Sequence, residues 1–205
     1  MNSLAVIVVD RSGSMHGMWK EAESVVNEAL ESARKIEGAF VRIVEFDNVI
    51  EDKGMRSAKY QEPYSSHPRG STALYDAIGQ AIDRTGKDLA ALPLHERPAN
   101  ILVTIVTDGE ENSSKEYTYE KIQSMIKHQK DKYNWQFMFA SSNLKSVTTA
   151  NAWGIQTIGG WVPGNPYSYA ANSVARNSMM TSYMTSGSVD EAAQKSIRAT
   201  MKEAV

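Results

Sequence analysis

Two apolar runs dominate the chain, and each leads into an aspartate. Residues 4–9 (LAVIVV) run directly into Asp10. Residues 101–106 (ILVTIV) run into Thr107-Asp108-Gly109. Short, β-branched and almost free of polar alternation, both runs predict central strands buried on two faces. Between them the period changes. Trp19, Ala22, Val25, Val26, Ala29, Leu30, Ala33 and Ile36 recur at helical spacing, and Gly38 ends that segment. Val41, Ile43, Val44 and Phe46 predict the next strand, and Asp47-Asn48 a tight turn into a short strand at 49–51. Residues 54–71, rich in Ser, Pro and Gly, read as a long surface loop. Leu74, Ala77, Ile78, Ala81, Ile82 and Leu89 form a second helical stripe.

The second half continues the alternation. A helix is expected over 117–130, with Ile122, Met125 and Ile126 inward. A strand at 135–140, a short helix at 147–153 and an edge strand at 155–158 follow. Residues 168–184 read as helical, and Ser188-Val189-Asp190-Glu191 has capping-box spacing before a last helix to about 204. Strands alternating with helices predict a doubly wound, Rossmann-like α/β fold. Its sheet is mostly parallel, covered by helices on both faces, with one short antiparallel edge strand. The expected organisation is a single domain over 1–205, in which 160–205 is a helical extension packed on the rest.

Composition narrows the function. The 205 residues are 41% hydrophobic and 22% charged, with a net charge of -2 and no basic stripe, which argues against a nucleic-acid surface. No apolar stretch is long enough to span a bilayer, so no membrane role is expected. The run at 4–9 is too short for a signal sequence, lacks a basic flank and ends in Asp10. The expected location is therefore the cytoplasm. The absence of cysteine excludes disulfides, thiolate zinc sites and cysteine nucleophiles.

Ligands of open α/β sheets bind at the carboxyl ends of the strands. Asp10, Ser12 and Ser14 lie there at alternate positions, with Gly13 freeing the loop to curl. A carboxylate and two hydroxyls are hard oxygen donors, suited to Mg²⁺ or Mn²⁺. Taken alone, the same residues also suit a helix cap and a serine-rich turn.

Together with two further positions they resemble a known pattern. Asp10-x-Ser12-x-Ser14, then Thr72 in Arg69-Gly-Ser-Thr-Ala-Leu, then Asp108 in Thr107-Asp-Gly, is similar to the metal-ion-dependent adhesion site of von Willebrand factor A domains. The resemblance covers roughly residues 4–160. The stretches Arg69-Gly-Ser-Thr-Ala-Leu-Tyr-Asp-Ala-Ile, Glu96-Arg-Pro and Thr107-Asp-Gly-Glu-Glu-Asn are similar to compact members from bacteria and phages, a resemblance that implies a bacterial or phage-infected cell. The resemblance implies a divalent cation, Mg²⁺ (or Mn²⁺ or Ca²⁺), held by Asp10, Ser12, Ser14, Thr72 and Asp108. It implies a protein partner that offers Asp or Glu to the ion. Arg69, Ser71 and Glu110 are the expected partner-facing residues.

Two other readings compete. A hydrolase would use the ion to activate water, and needs a general base beside it. A self-assembling structural protein would use the methionines Met179, Met180, Met184 and Met201 as its contact surface. A phosphotransferase of the haloacid dehalogenase type needs a second aspartate where Ser12 stands. No Gly-x-Ser-x-Gly elbow or P-loop is present.

Overall fold

The computed structural model describes residues 3–108, 110–141, 144–157 and 166–188. Six strands form one sheet: β1 (Ser3–Asp10), β2 (Phe40–Phe46), β3 (Ile50–Ser57), β4 (Asn100–Val106), β5 (Gln136–Ala140) and β6 (Gln156–Thr157). Their spatial order is β3-β2-β1-β4-β5-β6. Every pairing is parallel except β2 with β3. The helices are α1 (Trp19–Arg34), α2 (Leu74–Ala91), α3 (Tyr119–Tyr133), α4 (Leu144–Ala152) and α5 (Pro166–Ser186). This is the expected doubly wound α/β fold.

All eight residues of β1 are buried, as its unbroken apolar run predicts. Ala5, Ile7 and Val9 join one core cluster with α1 and α5, while Leu4, Val6 and Val8 join a second with α2 and α3. Each buried Val or Ile on this strand contributes about 1.5–3 kcal/mol relative to an exposed one. The alternation is what allows a single strand to serve two cores. Helix α3 begins at Thr118, whose side chain accepts from the Lys121 N–H, and ends at Asn134, which adopts the left-handed conformation (φ 55°).

The structure differs from the sequence reading along the β3 edge. The antiparallel strand runs over Ile50–Ser57, not 49–51, so the loop expected from 54 starts later. Its polar sequence hid it, because an edge strand faces solvent and lacks the apolar run of a central one. The rest of that loop lies along α1 as a strap. Asn27 brackets Tyr64, donating to its carbonyl (2.9 Å) and accepting from its N–H (2.8 Å). Trp19 donates to the Ser66 carbonyl at 2.9 Å, and Arg34 donates to the Gln61 carbonyl.

The described part of the 160–205 extension is α5 and the residues just after it. Met179, Met180 and Met184 are buried there in the core shared with α1. They are therefore not the exposed contact surface that the self-assembly reading needs. Met201 and the expected final helix lie outside the described residues. Among the described residues, no helix is long and apolar enough to cross a membrane.

Candidate metal centre

The chain leaves β1 towards β2 on one side and later returns to β4 on the other. The crevice between the carboxyl ends of β1 and β4 is therefore the topological switch point, where such sheets bind ligands. Asp10 ends β1 there with no exposed surface. Its Oδ1 accepts the Ser12 N–H at 2.7 Å, and its Oδ2 accepts the Thr107 hydroxyl at 2.6 Å. The second bond ties the end of β1 to the residue before Asp108. The Ser12 and Ser14 hydroxyls lie 3.0 Å apart.

The loop carrying Thr72 is joined to the same place by its backbone. Gly13 N–H donates to the Gly70 carbonyl at 3.0 Å, and Arg69 N–H to the Arg11 carbonyl at 2.6 Å. Asp10, Ser12, Thr72 and Asp108 are buried, whereas Ser14 and Ser71 are exposed. The five residues expected to hold a metal thus stand on three adjoining loops at one end of the sheet. Of the three expected to face a partner, Ser71 and Glu110 are exposed and unburdened by ion pairs among the described residues. Arg69 is half-exposed but engaged, with Nε on Asp47 (2.8 Å) and Nη2 on Glu51 (2.9 Å).

Gly70 has the positive φ that glycine tolerates, 71°, and a Cβ there would sit 2.4 Å from Asn48 Oδ1. The Gly70→Ala variant is expected to lose about 1–3 kcal/mol. A urea titration checks it, and an unchanged midpoint would show that the loop adjusts freely.

Arg11 sits between two of these residues but turns the other way. Its guanidinium meets Glu45 (3.2 Å), Asp47 (3.1 Å) and Glu51 (2.5 Å). Glu51 is held near 2 by hydrogen bonds from Arg11 and then Lys53. For Asp47, burial pushes the carboxyl up, but bonds from Arg69 and Val49 N–H and the charge of Arg11 outweigh it and hold it low. This cluster is formed by contacts at the ends of β1, β2 and β3 that the sequence does not announce. Its only signal was the run of acids at Glu45, Asp47 and Glu51, which reads as an ordinary solvated edge.

No ion pair among the described residues reaches Asp10 or Asp108. Burial pushes the Asp10 carboxyl up to about 6, against the opposing hydrogen bonds of Thr107 and Ser12 and with a smaller push from the Asp108 charge. A buried carboxylate without a counter-charge is costly, and a cation would remove that cost. The donors these three adjoining loops offer are two carboxylates and three hydroxyls, all hard oxygens, a set whose chemistry fits Mg²⁺ or Mn²⁺. Among the described residues, no group of three or more His, Cys, Asp or Glu is arranged to hold a metal ion.

No protein-family model matches the sequence, and no curated protein matches it. Solved structures do match. A von Willebrand factor type A protein from Catenulispora acidiphila is 18% identical, with a TM-score of 0.64 over 89% of this chain and 43% of that one. The ArnB paralog VWA2 from Sulfolobus acidocaldarius is 17% identical, with a TM-score of 0.53 over 87% of this chain and 45% of that one. The manganese-loaded TRAP protein of Plasmodium vivax is 14% identical, with a TM-score of 0.53 over 76% of this chain and 63% of that one. The chain spans less than two thirds of the length of each. With its strand order, its antiparallel edge hairpin and these neighbours, the chain has the fold of the von Willebrand factor A domain.

Proposed function

We propose that this chain is a metal-dependent protein-interaction module. Asp10, Ser12, Ser14, Thr72 and Asp108 hold one divalent cation, Mg²⁺ or alternatively Mn²⁺ or Ca²⁺. Five side-chain oxygens are one short of the octahedral six that Mg²⁺ takes, which leaves the ion an open position. A carboxylate from a partner's Asp or Glu fills that position, and the exposed Ser71, Glu110 and Arg69 form the rim around it. The observation that carries the reading is the bond of 2.6 Å between Thr107 and the buried Asp10, which has no ion pair among the described residues, at the switch point of the sheet. The manganese-loaded structure of TRAP, which shares the fold, supports the choice of a hard cation.

The test is capture of immobilised peptides that each carry a single Asp or Glu, in Mg²⁺ and in chelator. Retention is expected in Mg²⁺ only, and is expected to vanish in Asp10→Ala. Equal retention in both buffers would overturn the metal bridge. Turnover of a phosphoester or peptide that depends on Asp10 would overturn the binding-module reading in favour of a hydrolase.

A further inference from the structure

Thr72 and Asp108 lie on different loops, and one segment connects them. Helix α2 starts with Ala73 at its N-cap, so it has no side-chain cap of its own. The Ala73 N–H goes to the Asp47 carbonyl (2.9 Å), while the segment that follows β4 takes those of Tyr75 and Asp76 and of the preceding Thr72. Asn112 Oδ1 accepts from Thr72 N–H (2.9 Å), Glu111 Oε2 from Tyr75 N–H (3.0 Å) and Ser114 Oγ from Asp76 N–H (3.1 Å). The exchange is mutual. The Thr72 carbonyl accepts from the N–H groups of Asn112 and Ser113, each at 3.0 Å. Asp76 accepts the N–H groups of Lys115, Glu116 and Tyr117 at 2.8, 2.9 and 2.9 Å.

Glu111 is the centre of this clamp. Besides Tyr75 it accepts from Ser113 N–H (2.9 Å), Ser114 N–H (2.8 Å) and the Ser114 hydroxyl (2.7 Å). The segment is anchored at its start as well, where Asp108 Oδ1 accepts the Glu110 N–H at 3.2 Å. It is anchored at its end by the Tyr117 ring, which lies against Gly79 so closely that a Cβ there would sit 2.4 Å from it.

We propose that this clamp, acting through Glu111 and Asn112, fixes the position of Thr72 relative to Asp108 and so makes the site select Mg²⁺ over Ca²⁺. The inference rests on the metal reading above. Mg²⁺ demands near-ideal octahedral geometry at about 2.0–2.1 Å, whereas Ca²⁺ accepts six to eight oxygens at about 2.3–2.6 Å in flexible arrangements. A frame held by reciprocal bonds suits the first ion, and a slack frame loses it while still serving the second. Glu111 and Asn112 are positioning residues, since they act through the backbone of Thr72 and the start of α2.

The test is calorimetric titration of the full chain with Mg²⁺ and, separately, Ca²⁺, alongside melting in chelator. Wild type is compared with Glu111→Gln and Asn112→Ala. Glutamine presents an amide NH₂ where two of the N–H and O–H donors converge. Asn112→Ala removes one side-chain acceptor and leaves both backbone bonds to Thr72, so it preserves the fold should Glu111→Gln fail to fold. Mg²⁺ affinity is expected to fall about tenfold or more, and Ca²⁺ affinity less than about threefold. Equal losses for both ions, or no loss in a folded variant, would overturn the clamp while leaving the metal reading intact. Wild type that binds neither ion would overturn the metal reading itself and this inference with it.

Discussion

Replacing Asp10 with alanine is expected to erase the stabilisation that Mg²⁺ confers on the chain. An ion that binds only the native state stabilises it by about 2.7 kcal/mol at a hundred times its Kd. For a domain of this size that is a rise in Tm of roughly 5–10 °C. The ion's charge is expected to matter most at Asp10 because that carboxylate is wholly buried and unpaired among the described residues. Differential scanning calorimetry in chelator and in millimolar Mg²⁺ checks it, and equal responses of wild type and Asp10→Ala would remove Asp10 from the site.

The isosteric Asp10→Asn sharpens the same experiment. The Asp10 carboxyl is raised to about 6 in the folded chain. Because the folded value lies above the unfolded one, ionisation costs stability. That cost is absent below about pH 4, grows as pH rises towards 6 and is complete above it, at up to about 3 kcal/mol. In chelator at pH 7 the asparagine variant is expected to match or exceed wild type. In Mg²⁺ the order is expected to reverse. A wild type that stays the more stable in chelator at pH 7 would show that its own hydrogen bonds already compensate the charge.

The second large effect is structural. Arg11→Met is expected to lose about 3–5 kcal/mol, because removing one partner leaves buried carboxylates uncompensated. Glu45 and Asp47 have side chains only 5% and 2% exposed, so water replaces little of the lost contact. Lys53 and Arg69 remain, at 2.9 Å from Glu45 and 2.8 Å from Asp47, and hold the loss to the lower end of that range. Asp47 and Glu51, whose carboxyls are held low, contribute stability above their unfolded values. The wild-type advantage should therefore fade as pH falls through the carboxylate range towards about 2, the value of Glu51. Chemical denaturation from pH 7 downwards reads this, and a pH-independent gap would assign the effect to packing of the arginine stem instead.

What the sequence by itself determined about this protein is its central frame. The runs at 4–9 and 101–106 have no polar side to expose, so they could only be interior strands. The stripes from Trp19 and from Leu74 could only be helices lying on them. Those assignments place Asp10 and Asp108 at strand ends, and the fold and the order of the expected ligands follow. Tertiary structure decided the rest, because the deciding contacts join residues far apart in the chain. Tyr64 is held by Asn27, 37 positions away, which turns an apparent loop into a strap. Arg11 is committed to Glu45, Asp47 and Glu51 rather than to the site, because β2 and β3 bring three carboxylates to its side. Glu111 is held between its own loop and the start of α2, 36 positions back. A helix lacking its own cap must find acceptors elsewhere, and local sequence carries no sign of where they lie. The meeting of the Asp10 and Asp108 loops belongs to both levels: the motif names the residues, and the parallel pairing of β1 with β4 brings the two strand ends side by side.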